Sequence, residues 1–173
     1  MKNIKNIVIG CSGLIGFEIS KKLPKKETLF ISRKRPKGLN SIAWKKVDLD
    51  KKINNLPSKI NKMFFLSSPY YIKKNIKKNI LNKEYIWLKK ILDLIEIDQI
   101  IYFSSSSVYI KNHPVGKIKI KCEKLLKKSQ IKIIQIWRPF NIIGYYKNNI
   151  SDHFNNLLIK DFIKKRINSK KFL

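Results

Sequence analysis

Residues 6–17 read NIVIGCSGLIGF, and this stretch decides the fold. A short β-branched run, typical of a buried parallel strand, leads directly into glycines spaced three apart at Gly10, Gly13 and Gly16. Glycines suit such a turn because the chain leaves the strand with backbone angles closed to other residues and approaches a pyrophosphate closely. The stretch predicts a dinucleotide-binding turn with the anion at a helix N-terminus. The alternative interpretation is a glycine-rich turn in an ordinary α/β core.

Composition and cysteine content limit the class of protein. The chain has 173 residues and 43% hydrophobic content, enough for one core and too polar for a fibrous or membrane-spanning protein. Cys11 and Cys122 fit neither a metal-ligand spacing nor a disulfide framework, so no metal is expected and a reducing compartment is favoured. The apolar run before Cys11 is shorter than the roughly 7–15 residues of a secretion signal, so we expect a cytoplasmic protein.

The formal net charge is +28, from 39 basic and 11 acidic residues. Clustered on one face, such a charge would form a polyanion-binding surface; dispersed, it describes solvated faces. Lysine pairs are scattered from Lys21-Lys22 to Lys170-Lys171, which favours the dispersed interpretation. We therefore expect weak, non-specific attraction to nucleic acid or anionic membranes, and no specific partner of either kind.

Strand and helix patterns alternate along the chain without a long linker. The predicted strands are 4–9, 28–32, 42–47, 62–67, 99–104 and 131–137. The predicted helices are 13–23, 72–97, 116–129 and 152–167. This alternation predicts a doubly wound parallel α/β sheet, with residues 1–150 as a dinucleotide-binding domain and residues 151–173 as a helical extension.

The end of the second predicted strand bears on the choice of cofactor. It reads Ser32-Arg33-Lys34-Arg35, about 20 residues past the glycines, where an acid would hold the ribose hydroxyls of NAD. A small serine followed by three cations suits a 2′-phosphate instead. We therefore expect NADP rather than NAD, with Arg33 at the phosphate. The alternative is that these cations only reflect the general abundance of basic residues.

Five later motifs follow the glycines in order. They are Val47-Asp48-Leu49, Phe65-Leu66-Ser67-Ser68, Phe103-Ser104-Ser105-Ser106-Ser107-Val108-Tyr109, Lys119-x-x-x-Glu123 and Arg138-Pro139-Phe140-Asn141-Ile142-Ile143-Gly144. Over residues 1 to about 145 the chain resembles the extended short-chain dehydrogenase/reductases, the NAD-dependent epimerase/dehydratase group that acts largely on nucleotide sugars. Each motif alone is common, and the ordered set is specific.

The resemblance implies a Rossmann-type sheet with strand order 3-2-1-4-5-6 and a role for each matched position. Asp48 and Leu49 match the pair that contacts adenine, and Leu66–Ser68 match a turn beside the nicotinamide ribose. Ser105 matches the serine or threonine that hydrogen-bonds the substrate oxygen. Lys119 matches the lysine that grips the nicotinamide ribose and lowers the pKa of a neighbouring tyrosine. The cofactor-binding residues expected from the glycine turn and this resemblance are Gly10, Ser12, Gly13, Leu14, Ile15, Gly16, Arg33, Asp48, Leu49, Leu66, Ser67, Ser68, Lys119, Pro139 and Asn141.

Two departures from the family pattern bear on catalysis. Val115 stands four residues before Lys119, where the family has the tyrosine that moves the hydroxyl proton, and a valine cannot move a proton. His113 could in principle serve as the acid, because histidine exchanges protons near neutral pH in general, but a lone loop histidine before a proline is more often simply exposed to solvent. The chain also ends about thirty residues after the Arg138-Pro139 turn, so we expect no full C-terminal substrate lobe.

These observations predict an NAD(P)-binding protein similar to nucleotide-sugar epimerases, dehydratases and reductases, with weak or lost catalysis. If it is active, Ser105 and Lys119 act on a sugar or nucleotide-sugar substrate. One alternative is a non-catalytic cofactor-binding or partner-binding protein, and another is a nucleic-acid-associated basic protein on the same fold. Because the corresponding helices pair across a two-fold axis in the family, the resemblance also implies a homodimer through helices 72–97 and 116–129.

Overall fold

Six parallel strands form the main sheet of the protein, a computed structural model in which residues 4–36, 43–69, 80, 82–140, 145–146 and 149–150 are described. The strands are β1 (Asn6–Ile9), β2 (Thr28–Ser32), β3 (Ala43–Lys46), β4 (Lys59–Phe65), β5 (Glu96–Phe103) and β6 (Ile133–Trp137). They lie in the order β3-β2-β1-β4-β5-β6, and every neighbouring pair is parallel. The predicted Rossmann-type fold and strand order are therefore confirmed. The order reverses between β1 and β4, and the carboxyl ends of all six strands meet at one edge.

Helices pack on both faces of this sheet. They are α1 (Leu14–Lys22), α2 (Lys83–Leu94) and α3 (Pro114–Lys127), with short 3-10 helices at Lys25–Glu27 and Ser106–Tyr109. On one face Val8 and Phe30 are buried against Phe17 of α1. On the other face a larger core includes Leu88 of α2 and Cys122 of α3. None of the described helices has both the length and the apolar character that a membrane crossing requires.

Several element boundaries differ from the predicted ones. β4 and β5 each begin three residues earlier than predicted, at Lys59 and Glu96. The predicted helix 72–97 is wrong at its end, because α2 stops at Leu94 and Glu96 already belongs to β5, which pairs with β4 from this residue onward. Residues 72–79 of that predicted helix lie outside the described residues. α3 begins two residues early because Pro114 fits the first helical position.

The chain divides into two compact units, residues 1–140 and 141–173. The sheet and the helices above belong to the first unit. In the second unit the described residues form an antiparallel hairpin of β7 (Tyr145–Tyr146) and β8 (Asn149–Ile150). The predicted helix 152–167 and the predicted extension 151–173 lie outside the described residues.

Candidate functional site

The glycine turn connects β1 to α1, and its three glycines do different things. Gly10 has a φ of +93°, and its N–H donates to the Ile31 carbonyl of β2 at 2.8 Å. A Cβ on Gly10 would lie 3.0 Å from the Ser67 Oγ, and a Cβ on Gly16 would collide with the Gly10 carbonyl. Gly13 is different, because a Cβ there would make only an ordinary contact, 3.5 Å from the Gly10 carbonyl oxygen. A side chain would therefore be strained at Gly10 and Gly16, whereas Gly13 has room for a Cβ.

The first turn of α1 points its backbone amides toward the turn. The helix begins with Leu14 and Ile15 after Gly13, and first-turn amides have no acceptor within their own helix. Ser12 lies in the same turn, and no acid lies in the first turn of the helix. A Cβ at Gly13 would meet only the Gly10 carbonyl at ordinary contact distance, so the turn beside these amides fits a pyrophosphate, which needs N–H donors and close approach.

The loop after β4 lies beside the glycine turn, at the point where the strand order reverses. The Leu66 N–H donates to the Ile9 carbonyl of β1 at 2.9 Å, so the two loops leave the sheet together. Ser67 faces the Gly10 position, and Ser68 is exposed. The predicted residues Leu66, Ser67 and Ser68 are thus brought next to the predicted phosphate turn.

The end of β2 presents cations but not a free serine hydroxyl. Ser32 is buried; its Oγ donates to the Lys34 carbonyl at 2.6 Å and accepts from the Trp44 indole at 3.0 Å. Arg33 is exposed, and so is Arg35, whose guanidinium lies over the Trp44 ring at 5.8 Å. Any preference for a 2′-phosphate at this strand end therefore rests on the cations, Arg33 first.

The predicted adenine-contacting pair follows β3. Asp48 is half-buried, and its Oδ1 accepts the N–H of Asp50 at 3.1 Å, which holds the loop in a tight turn. Leu49 is buried in the core, and its carbonyl accepts a hydrogen bond from Lys90 at 2.9 Å. The hydrogen bond from Lys83 lowers the pKa of Asp50, and the charge of Arg33 adds a smaller contribution in the same direction.

Ser105 follows β5 and caps the short 3-10 helix after it. Its Oγ accepts the N–H of Ser107 at 3.1 Å, which leaves the hydroxyl proton for another acceptor. Ser107 is buried, and among the described residues its Oγ has no hydrogen-bond partner. Two serine hydroxyls at this strand end therefore retain unused hydrogen-bonding capacity.

Lys119 is buried rather than presented to solvent, with 7% of its side chain exposed. Its ammonium donates to Glu84 Oε1 of α2 at 2.6 Å and to the Phe103 carbonyl at 2.8 Å. Glu84 is itself 1% exposed, and it also accepts from the Tyr102 hydroxyl and the Ser68 hydroxyl, each at 2.7 Å. The predicted ribose-binding lysine is thus the partner of a buried carboxylate that joins four elements of the fold.

The Glu84 carboxylate also affects its apolar surroundings. Burial, and then the charge of Glu84, raise the pKa of the Tyr102 hydroxyl far above its usual range. The same two causes raise the pKa of the Cys122 thiol to about 12. Both groups therefore stay protonated at neutral pH and supply neither a nucleophile nor a base.

Sequence analysis did not identify Glu84, although a signal for it exists. Glu84, Leu88 and Ile91 are spaced i, i+4, i+7 on the buried face of α2, so an acid stands where an apolar residue is expected. Lys119 likewise lies on the buried face of α3, one turn before Cys122. A buried acid and a buried base on neighbouring helices are the pattern of an internal ion pair.

A second polar network joins α3 to the residues that follow β5 and β6. Arg138 donates from Nε and Nη2 to the two oxygens of Glu123, at 2.9 and 2.6 Å, and from Nη1 to the Tyr109 hydroxyl at 3.0 Å. The Ser104 hydroxyl donates to Glu123 at 2.6 Å. Burial alone would raise the pKa of Glu123, but the hydrogen bonds from Arg138 and Ser104 hold it below its usual value.

These contacts also locate the remaining motif residues. The Pro139 carbonyl accepts the N–H of Ser106 at 3.1 Å, which ties the turn after β6 to the 3-10 helix. Asn141 lies outside the described residues. A cavity of about 240 Å³ lies beside the Arg138–Glu123 pair, with no predicted cofactor residue in its lining, which consists of Val108, Tyr109, Ile120, Glu123, Lys124, Lys127 and Arg138.

The position of the missing proton donor lies in the first turn of α3. Val115 is half-buried there, one helical turn before Lys119. His113 accepts the N–H of Gly116 on Nδ1 at 3.3 Å, so the histidine caps this helix. Among the described residues no cluster of three or more His, Cys, Asp or Glu is arranged to hold a metal ion.

Comparison with known proteins identifies similar solved structures but no sequence relative. No family model and no curated protein matches the chain. The UDP-glucuronic acid 4-epimerase from Bacillus cereus, solved with UDP-glucuronic acid and NAD, is 19% identical with a TM-score of 0.65, covering 93% of this chain and 63% of that one. The UDP-N-acetylglucosamine 4-epimerase from Bacillus cereus is 17% identical with a TM-score of 0.65, covering 94% and 65%.

A reductase of different substrate class has a similar structure as well. The triphenylmethane reductase of a Citrobacter species, solved with NADP(H), is 14% identical with a TM-score of 0.59, covering 78% of this chain and 49% of that one. The chain spans between 48% and 65% of the length of the structures it matches. At these identities the likeness concerns the fold, and the predicted resemblance to the extended short-chain dehydrogenase/reductases is confirmed at that level.

Proposed function

We propose that the protein binds a nicotinamide dinucleotide along the carboxyl edge of the sheet. Its pyrophosphate lies on the glycine turn, and its nicotinamide end extends toward Ser68 and Lys119. The observation that carries this proposal is the glycine turn itself: Gly13, where a Cβ would make only an ordinary contact, precedes the first-turn amides of α1 at the point where the strand order reverses. Two of the solved structures of similar fold were determined with NAD or NADP(H), which supports the same class of ligand.

The adenosine half extends toward β2 and β3 in this proposal. Asp48 and Leu49 border the adenine, and Arg33 pairs with a 2′-phosphate, which favours NADP over NAD. The support for NADP is that β2 ends in Ser32 without an acid and that Arg33, the next residue, is exposed. An acid at this strand end would repel a 2′-phosphate, whereas a guanidinium binds it with charge-assisted hydrogen bonds.

The proposed reaction belongs to the class catalysed by nucleotide-sugar epimerases, dehydratases and reductases, and we expect its rate to be much reduced. When bound, the dinucleotide supplies hydride transfer. Ser105 retains a hydroxyl proton for a substrate oxygen, and Lys119 retains at most one N–H for a ribose hydroxyl. Val115 supplies no proton, so we expect turnover to be very slow or absent while binding persists.

Titration of the protein with NADPH and with NADH, followed by nicotinamide fluorescence, tests the proposal. We expect binding by the natural protein and none by Gly13→Val, because the branched side chain would occupy the space proposed for the pyrophosphate, whereas its Cβ would make only an ordinary contact with the protein. Equal affinity of a folded Gly13→Val protein would show that the turn is only structural. Absence of binding by the natural protein would favour the nucleic-acid-associated alternative.

Assembly belongs to the same proposal. A homodimer through α2 and α3 would place the exposed side of α3 near a two-fold axis, and that side carries Lys117, Lys121 and Lys124. Like charges that meet across the axis repel one another, so the dimer should strengthen as salt screens them. Light scattering at tens of micromolar, at low and high salt, measures this; a monomer mass at both would contradict the dimer.

A further inference from the structure

Glu84 is the most unusual side chain near the candidate site. It is 1% exposed, yet its two oxygens accept hydrogen bonds from Ser68, Tyr102 and Lys119. A buried carboxylate is costly unless it is paired and hydrogen-bonded, and here a buried ammonium and two hydroxyls meet that need. Tyr102 and Lys119 lie deep in the core, whereas Ser68 is exposed on the loop beside the glycine turn. The Glu84 carboxylate thus connects the buried groups Tyr102 and Lys119 with the exposed Ser68 in the loop beside the glycine turn.

The direction of each hydrogen bond to Glu84 determines which donor and acceptor groups remain available to a ligand at this edge of the sheet. A carboxylate can only accept, so the Ser68 proton is directed inward to Glu84 Oε2 at 2.7 Å. The Ser68 oxygen then presents lone pairs to the cleft and acts as an acceptor. Two of the three Lys119 N–H groups donate to Glu84 and Phe103, and the Glu84 charge neutralises the ammonium. Ser68 is therefore one group at this edge that can accept a hydrogen bond from a ligand hydroxyl.

We propose that Glu84 is a positioning residue for the nicotinamide end of the cofactor site. It holds Ser68 as a hydrogen-bond acceptor for a hydroxyl of the ribose next to the nicotinamide, and it keeps Lys119 in the core. The inference rests on the proposed dinucleotide binding. It adds the residue that determines whether Ser68 accepts or donates a hydrogen bond at the ribose next to the nicotinamide. The competing explanation is that Glu84 only joins α2 to α3 and β5.

Ligands of different length separate these explanations. ADP contains the first ribose and the pyrophosphate, ADP-ribose adds the second ribose, and NADH adds the nicotinamide. We expect Ser68→Ala to weaken ADP-ribose and NADH about 3- to 10-fold, the weight of one neutral hydrogen bond, and to leave ADP unchanged. Glu84→Gln should act in the same direction, and the two substitutions together should weaken binding no more than the stronger one alone. Ser68→Thr, which keeps the hydroxyl, should retain the affinity.

Glu96→Gln is the matched control, because it removes an exposed carboxylate paired with Lys59 at the opposite end of β5. If Glu84→Gln fails to fold with Lys119 left unpaired, Glu84→Gln combined with Lys119→Met is compared with Lys119→Met alone. Calorimetry measures all three ligands. Unchanged ADP-ribose affinity in Ser68→Ala, parallel loss of ADP, or additive effects of Ser68→Ala and Glu84→Gln would each overturn the inference. If the natural protein binds none of the three ligands, dinucleotide binding itself fails, which is a distinct outcome.

Discussion

The phosphate end of the candidate site (Gly10–Gly16) and its nicotinamide end (Ser68, Ser105, Lys119) lie on one sheet edge but are built differently. At the phosphate end the proposed binding groups are backbone amides, and a Cβ at Gly13 would make only an ordinary contact. At the nicotinamide end the polar groups are side chains, and several already bind one another: Lys119 binds Glu84, and Ser105 caps its own 3-10 helix. The comparison suggests that dinucleotide binding survives more readily than proton transfer when such a site changes.

Val115→Tyr tests whether the nicotinamide end lacks only a proton donor. General acid–base assistance is worth about 10²–10⁴ in rate. Because Glu84 neutralises Lys119, we expect little gain from Val115→Tyr alone and most of that gain from Val115→Tyr combined with Glu84→Gln. Chromatography of UDP-glucuronic acid incubated with protein and cofactor measures turnover.

Titration of the new phenol by ultraviolet absorbance gives a second readout that needs no substrate. An ammonium beside a phenol lowers its pKa, so the pKa should fall in the double variant and stay near its ordinary value in Val115→Tyr. A lowered pKa of the new phenol in Val115→Tyr alone would mean that Glu84 does not cancel the electrostatic effect of the Lys119 ammonium. Strong turnover by the unmodified protein that Ser105→Ala leaves unchanged would place the active site elsewhere.

Alanine at two glycines tests the division of labour within the phosphate end. The Cβ of Gly16→Ala collides with the Gly10 carbonyl, so we expect the free energy of unfolding to fall by about 1–3 kcal/mol. Gly13→Ala should change it by less than about 0.5 kcal/mol, because φ −81° and ψ 169° suit alanine and its methyl group meets no obstacle. Urea unfolding measures both. Equal losses would mean that Gly13 also has a packing role.

The two ends were also unequally accessible to sequence analysis. The glycine spacing, the strand alternation and the motif order predict the sheet order and the phosphate turn, because backbone requirements leave a local mark in sequence. Glu84 was missed because its role depends on Ser68, Tyr102 and Lys119, which come together only in the folded chain. The motif spacing singles out Lys119, but whether this residue faces a ligand or a buried acid is decided by packing, and the sequence did not indicate the pairing with Glu84.

Arg33→Ala tests the adenosine half of the proposed dinucleotide site. A charge-assisted pair contributes about 1.5–3 kcal/mol, so NADPH affinity should fall roughly 10- to 100-fold while NADH affinity barely changes. Lys34→Ala is the matched control, because Lys34 is exposed next in sequence and its removal lowers the net charge equally. Fluorescence titration measures both cofactors. Similar losses in the two variants would reduce the role of Arg33 to general charge.

The smallest expected effect is on the pH dependence of stability. This test compares the glycine turn with the network of Ser104, Glu123 and Arg138. The glycine turn contains no ionisable side chain except the buried thiol of Cys11, whose pKa burial raises to about 11. The region around Ser104 and Arg138 depends on Glu123, whose pKa is held below its ordinary 4.5. A lowered pKa stabilises the fold above the unfolded-state value, and this contribution disappears as pH falls through the folded-state value. Urea midpoints of the natural protein and Glu123→Gln should therefore differ most near neutral pH and converge below pH 4.5. Glu96→Gln, at an exposed pair, should show a smaller difference at every pH, and a constant gap for Glu123→Gln would mean that its charge contributes nothing.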